Sequence, residues 1–501
     1  MYIFSIRISL FQVRENYPLK FIAEITILNY YRAHKTTWNS MLEKAIFRTY
    51  DIRGDSRKNL TPDLAYNVGF HFAKMNIKPN NNKIVVGFDG RLSTPALYKA
   101  LTSGLFAAGA EIISIGLVPS PCLYFANKKL YPAASIMITG SHNEKHDNGF
   151  KMLADGASFY GPNIQLLYEE ILKDTKKYTQ QKEEVKIFPV NIKPHYIERI
   201  LQNSSINKDL KIIWDPGNGA VCSILKSLTE KLPNNNIIIN EEIDGNFPNH
   251  HPDPTIPKNL EQLISEVKNQ DADLGIAFDG DGDRIGVVTK SGEILFGDQL
   301  LCIYSKELLN RKPGSIIIAD VKASKTLFDY VANIGGKAIM WKTGHSLIKS
   351  KMIECGAEIA GEMSGHIFFA DNYLGYDDAV YAALRLISII SNSDSSLEEM
   401  LEEIPKAYST PEIRIEVPEE KKFQIVEKLK IKLQNQKIPF NDIDGIRADS
   451  SEGWWLIRAS NTQAALIARC EADSPESLDS VIKNLNILIK EFDLKLEKSE
   501  Q

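Results

Sequence analysis

The stretch Ile84 to Arg91, I-V-V-G-F-D-G-R, is an apolar, β-branched run that ends in an aspartate and opens into a glycine-bearing loop. A run of this kind, followed by a helical segment, starts a parallel strand-to-helix unit. The same design returns at Lys211 to Ala220, K-I-I-W-D-P-G-N-G-A, and at Ser315 to Ser324, S-I-I-I-A-D-V-K-A-S. The aspartates of the three runs, Asp89, Asp215 and Asp320, stand 126 and 105 residues apart, too far for the stacked units of a solenoid. Three related α/β domains are expected. From Thr410 the pattern changes to strand-like runs, Ile413 to Val417 and Ala465 to Arg469, alternating with helical ones, Lys421 to Leu433 and Leu478 to Phe492. A smaller α+β domain should follow the three. A chain of 501 residues is long enough for this, since it exceeds one ordinary core.

Bulk properties exclude more than they assign. A net charge of −5 opposes a nucleic-acid role, which would call for a basic face. The five cysteines are scattered, odd in number and without C-x-x-C, so neither a disulfide framework nor a zinc site is suggested and a reducing cytoplasm fits. Residues 1–40 contain apolar stretches, but Arg7, Arg14, Glu15, Lys20 and Glu24 interrupt them too often for a spanning helix. No membrane association is expected. Met41 opens M-L-E-K-A-I-F-R, and translation starting there would make residues 1–40 a start-site artefact; a docking or targeting arm is the other reading.

Each of the three strand-to-helix runs precedes a loop rich in chemistry. In F-D-G-D-G-D-R, Phe278 to Arg284, three carboxylates at alternate positions converge if the backbone turns tightly, and Gly280 and Gly282 permit that turn. Oxygen-only ligands suit Mg²⁺ rather than zinc or copper. An EF-hand is excluded, because the glycines fall between the acids and no bidentate Glu stands at the required place. Arg284 directly follows, well placed for a phosphate. In T-G-S-H-N-E-K-H-D-N-G-F-K, Thr139 to Lys151, Ser141 lies just past the apolar run Ala133 to Ile138, where parallel sheets place their chemistry. The bland reading is a plain turn, and a hydrolase triad lacks its G-x-S-x-G elbow. The two loops explain each other: a phosphorylated serine brings about two negative charges to three aspartates, which needs a divalent ion between them.

With F-R-T-Y-D-I-R-G at Phe47 to Gly54, D-G-N-F-P-N-H-H-P-D-P at Asp244 to Pro254, W-K-T-G-H-S-L-I-K at Trp341 to Lys349, G-E-M-S-G-H at Gly361 to His366 and R-A-S-N-T at Arg458 to Thr462, these loops resemble the α-D-phosphohexomutases, in their phosphomannomutase/phosphoglucomutase branch. The resemblance runs from about Met41 to about Ala472. It implies three related α/β domains with mixed sheets plus a smaller C-terminal α+β domain around a central cleft. The expected partition is an extension at 1–40, a phosphoserine domain at 41–188, a metal-binding domain at 189–293, a sugar-binding domain at 294–405 and a C-terminal phosphate-binding domain at 406–501.

The implied chemistry moves phosphate between O1 and O6 of mannose or glucose. Phosphorylated Ser141 gives its group to a hexose phosphate, a bound 1,6-bisphosphate turns over in the cleft, and the other phosphoryl group returns to Ser141. Asp279, Asp281 and Asp283, with Ser141, would hold Mg²⁺, and glucose 1,6-bisphosphate would serve as intermediate and activator. Arg53, Lys151 and His345 are the candidates for proton transfer; a cationic surround would lower the Lys151 pKa, while Arg53 suits a phosphate clamp better than a base. Tyr50 is expected at the substrate. Glu362, Ser364 and His366 match the family's sugar loop, where a carboxylate and a hydroxyl hold the 3- and 4-hydroxyls. Glucose and mannose are alike there, so dual specificity is expected. Arg458, Ser460, Asn461 and Thr462 would hold the phosphate that is not reacting. His71 and His146 are read as structural.

The partners expected are small hexose phosphates, with the protein a monomer or weak dimer. A fourth domain that opens and closes would let the intermediate reorient without escape. Two departures from the family pattern concern loop rigidity: Glu144 and Lys145 stand where a proline usually follows S-H-N, and Gln463 and Ala464 follow R-A-S-N-T. Phosphoglucosamine mutase is the rival enzyme, and a non-catalytic sugar-phosphate-binding paralogue is the rival of another class.

Overall fold

The computed structural model describes residues 43–178, 184–233, 235–461 and 464–496. Residues 1–40, Thr462 and Gln463 lie outside them, and with them the start-site question and part of the expected phosphate loop. The described residues from 45 to 496 share one continuous set of contacts.

Among the described residues there are four sheets. In the first, β1 (Ile52–Asp55), β2 (Lys83–Phe88), β3 (Glu111–Leu117), β4 (Ala134–Ile138), β5 (Asp147–Ala154), β6 (Ala157–Ser158) and β7 (Ile187–Pro189) pair in the order β1-β5-β4-β2-β3-β7, with β6 on β5. The second has β8 (Lys211–Asp215), β9 (Asn235–Ile238), β10 (Leu274–Phe278), β11 (Ile285–Thr289) and β12 (Ile294–Leu295) in the order β12-β11-β10-β8-β9. The third has β13 (Ile316–Asp320), β14 (Lys337–Trp341), β15 (Ile359–Gly361), β16 (Ile367–Phe369) and β17 (Tyr376–Asp377) in the order β14-β13-β15-β16-β17.

The three apolar runs of the sequence are β2, β8 and β13, and each plays the same part. Each lies between two parallel neighbours: β3 and β4, β9 and β10, β14 and β15. On one side the parallel neighbour then turns into an antiparallel partner: β4 into β5, β10 into β11, β15 into β16. The sheets are therefore mixed, as expected. The turn of that antiparallel pair carries the functional loop every time: Ser141 between β4 and β5, Asp279 to Arg284 between β10 and β11, Glu362 to His366 between β15 and β16. β4 and β10 are buried along their whole length, which their unbroken apolar runs require.

Helices cover these sheets. The helix Pro62–Asn76 is capped by Thr61, whose side chain accepts from Leu64 N at 3.3 Å, with proline in its first turn. It packs backbone to backbone on the helix Thr94–Ala107, because Gly69 and Gly104 face each other's chains; a Cβ on Gly104 would meet Tyr66 O at 2.1 Å. His71 ties this pair down through Nε2 and Asp174 O at 2.9 Å, a structural contact as read from the sequence.

The fourth sheet, β18 (Tyr408–Ser409), β19 (Ile413–Glu416), β20 (Ile446–Asp449), β21 (Trp454–Ala459) and β22 (Ala465–Ala472), is antiparallel. Helices Glu419–Asn435 and Pro475–Ile489 cover it around Leu429, Leu433, Ile457, Leu466 and Leu485. It is anchored on the third domain. Arg447 donates to Val321 O and Ala323 O, both at 2.7 Å, while its guanidinium lies 3.6 Å from the Trp454 ring centre. Glu471 accepts from Trp454 Nε1 and Ser324 Oγ, each at 2.8 Å.

Candidate active site

Ser141 has left-handed backbone, φ 48°, unusual for a residue with a side chain. Two contacts set this up: Thr139 Oγ1 accepts from Ser141 N at 2.8 Å, and Asp89, at the end of β2, accepts from Gly140 N at 3.1 Å. The serine hydroxyl then donates to Asp279 Oδ2 at 2.8 Å and lies 3.2 Å from His142 Nδ1. Arg53 lies behind the loop, its guanidinium on Gly140 O and Asp51.

The aspartate loop folds around one of its own carboxylates. Asp279 Oδ1 accepts the amides of Gly282, Asp283 and Arg284 at 2.9, 3.1 and 3.2 Å, which leaves Oδ2 for the serine. Gly282 takes φ 76°, as the turn demands. Ser120 fixes the middle of the loop, its amide on Asp281 O at 2.8 Å and its hydroxyl on Asp281 Oδ2. The three carboxylates are fully buried and present oxygens within 4.8 Å of one another. Asp281 Oδ1 and Asp283 Oδ1 are buried without a hydrogen-bond partner. An oxygen-only donor set with two such oxygens fits a hard divalent cation.

Lys151 reaches from β5 into this cluster, with Nζ 2.6 Å from Asp281 Oδ2 and also on Asp283. The nearest neighbours of Lys151 are carboxylates rather than the cationic surround expected. Burial pushes its ammonium down, but the charges of Asp281, Asp283 and Asp279 outweigh burial and hold the group above the ordinary lysine range. Asp279 goes the other way, raised by burial and by its two carboxylate neighbours. Burial also depresses Arg53, but Asp51 outweighs it and keeps the guanidinium charged.

The third loop meets the second. A Cβ on Gly365 would stand 2.4 Å from Ile285 O, so only glycine lets the two turns touch. Arg284 Nε donates to His366 Nε2 at 3.0 Å, and His366 Nδ1 lies 3.0 Å from Asp377 Oδ2. Lys349 donates to Asp377 Oδ1 at 2.8 Å and lies 3.1 Å from His345 Nδ1. The rings of His345 and His366 stack, centres 5.7 Å apart. Burial, with Lys349 beside it, keeps His345 neutral, well below the usual histidine range. Asp283, His366 and Asp377 also approach one another, but Lys349 and Arg284 already bring positive charge to that group, so it reads as a charge-paired cluster. Glu362 accepts from Gly344 N at 3.1 Å and lies 3.4 Å from the Ser364 hydroxyl. Its carboxyl is raised, by burial first and then by Asp320.

The fourth sheet contributes Arg458, at the end of β21, whose Nε donates to Asp444 Oδ2 at 3.0 Å. Ser460 and Asn461 follow. Asn461 Nδ2 donates to the Tyr50 hydroxyl at 2.6 Å, and that hydroxyl donates to Thr343 O at 2.6 Å. Tyr50 thereby joins the first, third and fourth sheets at one atom. Of the residues expected from the sequence, Ser141, Lys151, Asp279, Asp281 and Asp283 are in mutual contact, Arg284 pairs with His366 beside His345, Glu362 lies near Ser364, Tyr50 meets Asn461, and Arg458 pairs with Asp444.

Four further residues belong to the arrangement without having been read from the sequence. Lys322 is buried beside Glu412 at 2.9 Å and Asp320 at 3.9 Å. Asp377 and Ser120 act as described, and Arg91 sits under the serine loop. Lys322 and Arg91 had a signal: each stands two residues after the strand-end aspartate of its repeat.

The chain matches family models described as phosphoglucomutase/phosphomannomutase alpha/beta/alpha domain I over residues 44–179, domain II over 194–292, domain III over 296–408, and the C-terminal domain over 412–486. It is 43% identical over 441 residues to a phosphomannomutase/phosphoglucomutase of Pseudomonas aeruginosa, covering 88% of this chain and 94% of that protein. A phosphoglucomutase of Neisseria gonorrhoeae is 40% identical over 451 residues, 90% of this chain and 97% of that one. Among solved structures, a phosphoglucomutase/phosphomannomutase family protein of Burkholderia thailandensis superposes with a TM-score of 0.82 at 37% identity, over 91% of this chain and 99% of that one.

Proposed function

The chain belongs to the phosphoglucomutase/phosphomannomutase family, and on that premise we propose how its cleft carries out the reaction. It is an isomerase that interconverts hexose 6-phosphate and hexose 1-phosphate. The observation that carries the mechanism is the Ser141 hydroxyl, 2.8 Å from Asp279 Oδ2 inside a buried carboxylate triad.

In the proposed cycle, phosphorylated Ser141 donates its phosphoryl group to the free hydroxyl at one end of the sugar. The bond from phosphorus to Ser141 Oγ breaks as the bond to the sugar oxygen forms, and the sugar hydroxyl gives up its proton. The resulting 1,6-bisphosphate turns end for end, and Ser141 takes back the other phosphoryl group. Such a transfer asks the protein mainly for alignment and charge compensation. Mg²⁺ held by Asp279, Asp281 and Asp283, with Ser141 completing the set, would supply much of that compensation at the phosphoryl oxygens. Lys151, whose Nζ lies on Asp281 and Asp283, and Arg53, whose guanidinium lies on Asp51 and Gly140 O, serve as clamps. The proton goes to one of the two stacked imidazoles, His345 or His366, rather than to either clamp.

Glu362 and Ser364 take the 3- and 4-hydroxyls, where mannose and glucose do not differ, so both sugars are accepted in both orientations. Arg458, Ser460, Asn461 and Thr462 hold the phosphate that is not reacting, with Tyr50 beside it, while Arg284 stands at the carboxylate triad. Glucose 1,6-bisphosphate primes the serine. No described helix is long and apolar enough to cross a membrane. The five cysteines are unpaired, in keeping with a cytoplasmic enzyme.

The test is turnover of mannose 1-phosphate, glucose 1-phosphate and glucosamine 1-phosphate in parallel, with Mg²⁺ and a trace of glucose 1,6-bisphosphate. Comparable rates on the first two support this reading. Turnover of glucosamine 1-phosphate alone would move the protein to the amino-sugar branch, and no turnover of any would leave a sugar-phosphate binder.

A further inference from the structure

We propose that Arg91 is a positioning residue for phosphoryl transfer: its guanidinium sets where the Ser141 hydroxyl points, without touching substrate. The inference rests on the reading of Ser141 as the phosphoryl carrier.

Arg91 has all four of its terminal N–H donors committed, while Nε is buried without a hydrogen bond. Nη2 donates to Ser141 O at 2.6 Å and Asn143 O at 2.7 Å; Nη1 donates to Glu144 O at 2.6 Å and Asp147 O at 2.9 Å. Nε lies 3.3 Å from Asp89 Oδ2, the same oxygen that accepts from Gly140 N. Four terminal N–H bonds thus reach four carbonyls of one loop. The side chain is 1% exposed, and the Phe247 ring of the second domain covers the guanidinium, 5.1 Å away. The fit leaves no slack: a Cβ on Gly140 would stand 2.3 Å from Arg91 Nε.

The loop needs such a clamp. Ser141 holds a backbone conformation that residues with side chains seldom adopt and that persists only when its surroundings dictate it. Glu144 and Lys145 follow Asn143, so no proline stiffens the turn from within. Rigidity is supplied from below instead. Only arginine can do this, because its five N–H donors form a fixed fork, whereas lysine offers three on a single nitrogen. Lys322 stands at the same place of the third repeat and, lacking a fork, pairs with Glu412 instead.

The test is Arg91→Lys, which keeps the charge and removes the fork. Three quantities are measured: phosphate uptake by Ser141 from glucose 1,6-bisphosphate, followed by intact mass, and kcat and KM for glucose 1-phosphate. A misplacement of about 1 Å costs on the order of 10²-fold in rate, so kcat and the uptake rate should fall together by about that factor while KM stays unchanged. A merely structural residue would lower the active fraction and leave the rate per folded molecule intact. Near-UV circular dichroism reports folding. Should Arg91→Lys fail to fold, Arg91→Gln decides, since it removes the fork and leaves the bond from Gly140 N to Asp89 in place; kcat should then drop roughly tenfold at constant KM. Wild-type kcat in a folded variant, beside a wild type whose Ser141 takes up phosphate, would overturn this inference alone. A wild type whose Ser141 takes up none would overturn the carrier reading and this inference with it.

Discussion

Gly280 and Ser141 lie backbone to backbone, so close that a Cβ on Gly280 would stand 2.4 Å from Ser141 O. The turn that gathers the carboxylates and the turn that presents the nucleophile are thus fixed to each other by the absence of one methyl group. Gly280→Ala must push the serine loop off the triad. We expect kcat to fall by about 10²-fold or more, with far-UV circular dichroism unchanged, because both turns lie outside the strands they join.

Tyr50 links three sheets through one hydroxyl. Tyr50→Phe removes a donor to Thr343 O and an acceptor for Asn461. Each such bond is worth about 0.5–1.5 kcal/mol net, so KM should rise roughly tenfold, with a smaller effect on kcat. A rise in kcat without a change in KM would show instead that this contact restrains opening.

Removal of divalent ions should stop turnover while leaving sugar-phosphate affinity measurable. The triad lies at the reacting serine, whereas Arg458 and Glu362 are held by other partners, Asp444 and Gly344. Calorimetric titration of glucose 1-phosphate into EDTA-treated protein should still give heat, and added Mg²⁺ should restore activity.

His250 makes stability depend on pH near neutrality. Its Nε2 lies 2.8 Å from Asp215 Oδ2, at the end of β8. Burial pushes the imidazolium down, but the hydrogen bond and charge of Asp215 outweigh burial and raise the group above its ordinary value. The folded state therefore binds this proton more tightly than the unfolded state. The stabilisation is complete below the ordinary histidine value of about 6.5 and is lost as pH rises through the folded value. Tm should drop by roughly 1–3 °C across that window, and the drop should shrink in His250→Asn.

Both sets of imidazole and clamp can be separated by substitution. His345→Gln and His366→Gln should each lower kcat by about 10²-fold or more if the ring carries the proton. A ring that only packs in the stack should cost far less, and its variant should keep the wild-type pH profile of kcat/KM.

Much of this was legible because it is local. A β-branched run ending in Asp89, Asp215 or Asp320 reads as a strand entering a loop wherever it occurs, and D-G-D-G-D can only be a turn of carboxylates. What could not be read depends on distant partners. Lys151 suggested a cationic neighbourhood, yet its nearest charges are Asp281 and Asp283, 130 and 132 residues later. Ser120 lies in an unremarkable P-S-P and reaches Asp281 across 161 residues. Asp377 meets His366 only because β16 and β17 pair. Arg91 was read as the end of a strand motif, and nothing near it announces the four carbonyls it would hold.

The three functional turns occupy the same place in three sheets whose four central strands follow the same order. Nucleophile, counter-charge and sugar contacts are thereby kept on separate turns of modules that share one buried core. Residues 362–364 can be rewritten for a different pattern of hydroxyls while Gly365 and His366, which meet the second turn, are kept. A laboratory seeking a mutase for a new sugar should therefore diversify those positions of that one hairpin and leave the other two hairpins alone.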